Sequence, residues 1–253
     1  MERIRKPFQG VSNIVRFNWH FYVVSVVAIL LILWAKNDFY LPTFYANILL
    51  FFIITPTLIS LFVSYYVYDF SDLYQLNWID GLFLFPNEKI LNINAGFDET
   101  SVLLKEKFPH SELIVFDFYD PEKHTEVSIK RARNVYPPYP NTVSINTAKL
   151  PLPDDSVDLI FVTFAAHEIR NDSERSIFFK ELHRILANNG KIIVTEHLRD
   201  LPNFLAYNIG FFHFMPKSSW YKTFENAALN ISCEQKITPF ISTFLLKKNG
   251  NTP

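Results

Sequence analysis

The stretch LPLPDDSVDLIFVTFAAHEI, residues 150–169, holds an apolar run from Val157 to Phe164 behind a turn built of proline, aspartate and serine. A run of that length, bounded by turn signals, reads as a strand buried on both faces. Downstream, apolar residues recur at helical spacing from Ser173 to Leu186, through "ELHRIL", and Asn189-Gly190 reads as the helix stop. "KIIVTE", Lys191–Glu196, then reads as a second strand. A strand, a helix and a strand in this order imply parallel pairing through a crossover.

The same alternation continues on both sides. "KILNIN" (Lys89–Asn94), "ELIVFDF" (Glu112–Phe118) and "NTVSIN" (Asn141–Asn146) read as strands, with helices expected over Thr100–Phe108 and Pro121–Asn134. After a helix expected over Lys217–Leu229 come "ISCEQKIT" and "FISTFLLKK" with no helix between them. Such a pair is antiparallel and closes one edge of the sheet. The expected fold is α/β: a Rossmann-like, doubly wound, seven-stranded sheet ending in an antiparallel hairpin.

The N-terminal third is different in kind. The chain has 253 residues, of which 49% are hydrophobic, enough for one core with apolar sequence left over. No formally charged residue occurs from Phe17 to Ala35, or, after a short "KND" loop, from Phe39 to Tyr68. A bilayer-spanning helix needs roughly 20 mostly apolar residues, so a transmembrane helical hairpin over residues 17–68 is expected. Trp19, Trp34, Tyr65, Tyr66 and Tyr68 fall near its interfaces. Pro42 marks the start of the second span, and Pro56 lies inside it, where membrane helices tolerate a bend. A cleaved signal peptide and a buried soluble hairpin are the rival readings; the length of the run, the second span and the missing polar stripe weigh against them.

Arg3, Arg5, Lys6 and Arg16 precede the first span, whereas the connecting loop holds only Lys36 against Asp38. The positive-inside rule then places the N-terminus and everything after Asp69 on the cytoplasmic side of the membrane. The single cysteine, Cys233, excludes an internal disulfide, and a net charge of −1 gives no reason to expect nucleic acid. The division expected is a basic N-terminus (1–16), two transmembrane helices (17–68), a linker (69–80), an α/β domain (81–248) and a tail (249–253).

Residues 150–169 together with FFKELHRILANNGKIIVTEH, residues 178–197, resemble the fourth strand, helix and fifth strand of class I S-adenosylmethionine-dependent methyltransferases of type 11. The resemblance covers about Gly81 to Lys248 and leaves the apolar hairpin outside. It implies S-adenosyl-L-methionine as cofactor, bound beyond the carboxyl ends of the strands. In that family the first strand ends in an acidic residue followed by a glycine-rich turn. Here Asn92 stands at the acidic position, Asn94 and Asp98 replace glycines, and Gly96 alone remains. Asn94 tolerates left-handed backbone better than most non-glycines. Asp117 matches the family's ribose-binding carboxylate and Asn146 the residue that meets the adenine amino group.

Four of the seven histidines follow strand ends or lie in loops at the same rim: His124, His167, His197 and His213. Glu126, Glu168, Arg170, Glu196, Arg199 and Asp200 accompany them. General acid/base catalysis is one use of such a rim, with His167 as the base, Glu196 orienting it and His197 as substitute. A His/Glu metal site is a second, although no HExxH or CxxC spacing occurs. Purely structural ion pairs such as Glu196 with Arg199 are a third.

Between the fifth strand and the next helix, NFLAYNIGFFHFMP (residues 203–216) is rich in aromatic residues. Phe204, Tyr207, Phe211, Phe212 and Phe214 are placed to line an apolar acceptor pocket, to touch a bilayer or to pack a core. The expected activity is membrane-anchored methyl transfer to oxygen or carbon of a lipophilic small molecule. A catalytically silent membrane scaffold and a metal-assisted enzyme on the same fold are the alternatives.

Overall fold

The computed structural model describes residues 5–81, 89–124 and 126–249; Arg3, the stretch 82–88 at the expected start of the α/β domain and residues 250–253 of the tail lie outside the described residues. Among the described residues, seven strands form one sheet in the order β3-β2-β1-β4-β5-β7-β6. They are β1 (Lys89–Asn94), β2 (Glu112–Asp117), β3 (Val143–Ser144), β4 (Val157–Thr163), β5 (Leu186–His197), β6 (Leu229–Thr238) and β7 (Ile241–Lys248). β1 to β5 run parallel, and β7 joins β5 and β6 antiparallel.

Both faces are covered, which is why β4 reads as a near-continuous apolar run. Phe178, Phe179 and Leu182 of α6 (Asp172–Ile185) and Trp220 and Phe224 of α8 (Lys217–Asn226) fill one side. Leu104 of α4 (Ser101–Lys107), with Leu76 and Ile79, fills the other. The register aligns the strand ends: Asn94 faces Asp117, Ile93 faces Val162 and Thr163 faces Thr195. One rim therefore carries the residues that follow β1, β2, β4 and β5.

Three local expectations are corrected. α5 spans Val127–Val135 rather than starting at Pro121, because Asp120 turns the chain first, accepting the Glu122 N–H on its carboxylate and the His124 N–H on its carbonyl. Asn189-Gly190 does not stop α6. The helix ends at Ile185, Leu186 already pairs with Val157, and Gly190 lies inside β5, where an added Cβ would meet Leu186 at 2.7 Å and the Asp158 carbonyl at 2.9 Å. The third strand is only the two residues Val143–Ser144.

Before the sheet come α1 (Gln9–Phe17), α2 (Trp19–Asp38) and α3 (Thr43–Tyr65). The "KND" residues form the last turn of α2 rather than the loop, and Pro42 precedes α3, its carbonyl accepting the Ala46 N–H. Pro56 stays within α3, and next to it the Thr57 hydroxyl donates to the Ile53 carbonyl. α2 and α3 are both long and apolar enough to cross a membrane, and no residue of α2 is buried. Phe21, Leu30, Phe51, Phe52 and Phe62 are exposed to solvent along them.

Phe17, at the edge of the expected span, is instead buried, with Arg131 donating to its carbonyl at 2.6 Å. α1 is thus docked on the sheet domain. Asp69, in the wide turn that ends α3, caps α1 by accepting the N–H groups of Gly10 and Val11 at 2.7 and 2.8 Å. A carboxylate at the first turn of a helix also complements its dipole.

Candidate active site

The loop after β1 keeps its shape through side chains rather than glycines. Asn94 Oδ1 accepts the Gly96 N–H at 3.1 Å, and Asp98 Oδ1 accepts the N–H groups of Thr100 and Ser101 at 3.0 and 2.9 Å. The left-handed residue is Gly96 itself, at φ +96°, not Asn94, which ends β1. Short polar side chains that bond backbone a few residues on hold a turn in this way. Asn92, fully buried, donates to the Thr100 and Ser101 hydroxyls at 2.9 and 2.8 Å, and neither its Oδ1 nor Asp98 Oδ2 has a partner among the described residues.

Asp117 ends β2 buried, with Oδ1 accepting the Tyr119 N–H and Oδ2 accepting from Arg133 at 2.6 Å. Arg133, on α5, also lies over the Tyr119 ring, 4.4 Å from its centre. A Cβ on Gly96 would meet that ring at 2.8 Å. Arg133 had no signal in the sequence beyond a basic helix face. Asn146 is exposed beyond β3, accepting the Ala148 N–H, and does not line the cleft.

A cleft of about 200 Å³ opens between the rim loops, lined by Tyr74, Asn94, Phe97, Thr163, His167 and His213 among others. At its far end the turn after β4 brings His167 against Glu196 of β5. The His167 backbone N–H and Nδ1 lie 3.2 and 2.7 Å from the two Glu196 carboxylate oxygens. His167 Nε2 faces Glu168 Oε1 at 3.2 Å, and the same oxygen lies 3.3 Å from His213 Nε2. Glu126 Oε1 reaches His213 Nδ1 at 2.5 Å, and the Arg170 guanidinium lies over His213 from the solvent side.

Burial alone lowers an imidazole pKa, but the Glu196 carboxylate, with Glu168, outweighs it and pushes His167 up to about 10. Burial likewise raises a carboxyl pKa, yet the hydrogen bonds from His167 and His213 hold Glu168 well below the usual carboxylate range.

The rest of the rim does not join this cluster. His197 is buried between the stacked rings of Phe164 and Phe214, with Nε2 2.7 Å from Tyr68 Oη and Nδ1 2.9 Å from Asn203 Oδ1. Burial pushes it down to about 4, the Asn203 bond offsetting only part. His124 accepts the Asp120 N–H beneath Tyr119. Arg199 donates to the carbonyls of Phe212 and Phe214, not to Glu196, and Asp200 caps α7 (Leu201–Tyr207) through Asn203.

Residues 93–194 match the model of the methyltransferase domain family. This chain is 31% identical over 111 residues to a demethylmenaquinone methyltransferase of Thermotoga maritima, the match covering 44% of each chain. It is 27% identical to the protein of the same description from Thermus thermophilus, covering 43% of this chain and 47% of that one. The chain spans about half the length of the curated relatives it matches. A solved S-adenosylmethionine-dependent methyltransferase from Aquifex aeolicus superposes with a TM-score of 0.52 at 16% identity, covering 76% of this chain and 97% of that one, a likeness of fold. Over residues 93–194 the chain is thus similar to the methyltransferase domain family, and its sheet has the fold of S-adenosylmethionine-dependent methyltransferases.

The residues present suit that cofactor at its methionine end. The orphaned acceptors Asn92 Oδ1, near the end of β1, and Asp98 Oδ2, in the loop that follows, lie behind the cleft-lining Asn94 and Thr100, and a ligand with an ammonium group brings donors of the kind they lack. Each Asp117 carboxylate oxygen already has a donor, the Tyr119 N–H on Oδ1 and Arg133 on Oδ2, and each keeps a second acceptor position that a ribose hydroxyl could use.

Proposed function

We propose that this chain is a membrane-anchored methyltransferase that transfers a methyl group from S-adenosylmethionine to oxygen or carbon of a lipophilic, aromatic acceptor. The observation that carries the reading is the single cleft that joins the loop after β1 to the His167 cluster. It offers adjoining places for two substrates, and positioning them in line is most of what such a displacement asks of a protein. Bound there, the cofactor supplies an electrophilic methyl group on a sulfonium.

In this reading Asn92, Asn94 and Gly96 receive the methionine part and Asp117 the ribose, and the adenine extends past the cleft to the exposed Asn146. The acceptor occupies the end of the cleft by His167, where the His167–Glu196 pair handles its proton. The names of the relatives give a demethylated menaquinone as their acceptor, and that chemistry suits a protein with an apolar face. α7 packs on α3, and Leu201, Phe204, Leu205, Ile209 and Phe212 stand exposed beside it. With α2 and α3 in the bilayer, that face meets the membrane surface, where a dissolved acceptor reaches a high local concentration. The basic residues before α2 orient the sheet domain to the cytoplasm; a cysteine at Asn37 is then labelled from outside, while Cys233 is protected until the membrane is opened.

One observation favours the silent-scaffold reading instead: Arg133 and Tyr119 lie over Asp117 and Gly96. Calorimetry of the detergent-solubilised full chain with S-adenosylhomocysteine decides between the two. Binding heat in the wild type, weakened by at least about 1.5 kcal/mol in Asp117→Ala, is the expected outcome. No heat and no thermal shift at millimolar ligand would leave the scaffold.

A further inference from the structure

We infer that His167 Nε2, Glu168 Oε1 and His213 Nε2 form a binding site for a first-row divalent transition-metal ion, with its open positions toward the acceptor end of the cleft. The inference deepens the proposed function and rests on that reading for the cation's role, not for the site itself.

The three ligand atoms lie within 4.8 Å of one another. Glu168 Oε1 is 3.2 Å from one imidazole nitrogen and 3.3 Å from the other. With bonds of about 2.0–2.1 Å, the ligand atoms of a tetrahedral site lie roughly 3.3 Å apart, so small side-chain shifts admit an ion. Two imidazoles and one carboxylate favour zinc, iron or manganese over calcium or magnesium, which take oxygen ligands. Three protein ligands also leave coordination positions free, the mark of a site that binds something else besides.

The surroundings are those of a held ligand set. Glu196, 1% exposed, grips the far nitrogen of His167 at 2.7 Å, fixing the ring so that Nε2 points at Glu168. A carboxylate behind a ligating histidine orients the ring and raises its basicity. Glu126 stands behind His213, at 2.5 Å from Nδ1, a nitrogen that the Arg170 guanidinium also meets. Three carboxylates therefore surround the two rings, faced by one guanidinium. Arg170, whose side chain is 44% exposed, lies 3.0 Å from His213 Nε2 and must swing outward to admit the ion.

All three proposed ligands line the cleft that also holds Asn94 and Thr163. An acceptor hydroxyl or enol oxygen can thus take an open metal position beside the cofactor loop. Binding there stabilises the deprotonated oxygen, the released proton passing to solvent, and leaves an oxygen-activated nucleophile without requiring a neutral imidazole to remove the proton.

The test uses full-length protein in detergent, stripped with a chelator and titrated with Co²⁺. One equivalent per chain is expected, with visible d–d absorption of a nitrogen- and oxygen-ligated site, and Zn²⁺ should displace it. Glu196→Gln should weaken affinity about 10- to 100-fold, and His213→Ala and Glu168→Gln by more, while Arg170→Ala keeps or raises it. Thermal unfolding of each stripped variant separates lost binding from lost fold, and Glu168→Gln preserves shape where His213→Ala does not. No binding by the wild type, or undiminished binding by folded Glu168→Gln and His213→Ala, would overturn the site. S-adenosylhomocysteine calorimetry on the same samples separates the two ideas: cofactor binding without metal sinks the cation alone, and metal without cofactor upholds the site and sinks the methyltransferase reading.

Discussion

The turn after β4 and the end of β5 each present a histidine at the same rim, one strand apart, and the two could hardly be held more differently. His167 lies between the carboxylates of Glu168 and Glu196 and is pushed up to about 10. His197 lies between two aromatic rings, bonded to a tyrosine and an amide, and is pushed down to about 4. Both are buried. Burial opposes charge in each case, so the sign of the net shift is decided by whether carboxylates or neutral groups fill the first contact. The first histidine belongs to the cleft. The second is a fastener between the sheet and the turn that ends α3.

The largest consequence attaches to His167. In His167→Ala the buried Glu196 loses its partner, and stability should fall by about 3–5 kcal/mol in a denaturant titration. Turnover on an identified acceptor should fall at least about a hundredfold. Adding Glu196→Gln should restore much of the stability and none of the turnover. A single variant as stable and as active as wild type would erase the contrast between the two histidines.

Acidification should act through the other one. His197 in the unfolded chain protonates near its ordinary value of 6.5, whereas in the fold it stays neutral down to about 4. Its depressed value therefore contributes stability above about pH 6.5, lost progressively as pH falls toward 4 and flat below that. The loss amounts to about 3 kcal/mol from the difference between the two values. Unfolding followed from pH 7 to 4 in wild type and His197→Phe checks it: the slope of that limb should flatten in the variant. An identical slope would show that other groups govern it.

The smallest expected effect sharpens the role of the fastener. Tyr68→Phe removes one hydroxyl from His197 Nε2 and should cost about 1 kcal/mol of stability, with S-adenosylhomocysteine affinity unchanged. A drop in affinity comparable to that of Asp117→Ala would instead tie the turn that ends α3 to cofactor binding.

Legibility followed the range of the interactions. β1, β4 and the helix of "ELHRIL" were readable because burial on both faces of a strand, or on one stripe of a helix, writes a local period. The first part of β5 was not readable. Asn189-Gly190 carries the signal of a helix stop, but Gly190 is there for the close approach of Leu186 and the Asp158 carbonyl, which belong to the tertiary packing. Asp117 and Gly96 were singled out by resemblance to a motif, whereas Arg133, which bonds Asp117, was not, since a basic residue on a helix face has no local mark of its target.

By itself the sequence determined the alternation of strands and helices, the two apolar helices and the set of histidines and carboxylates at one rim, because each depends on neighbours along the chain or on strand ends that alternation aligns. Only the tertiary structure decided which of those side chains meet. Glu196 could have paired with Arg199, three residues on, and pairs with His167, 29 residues away, because parallel register brings the end of β5 beside the turn after β4. Tyr68 finds His197 across 129 residues of chain. Pairings of that kind are set by the packing of layers, and the energy that selects them is the cost of leaving a buried polar group alone.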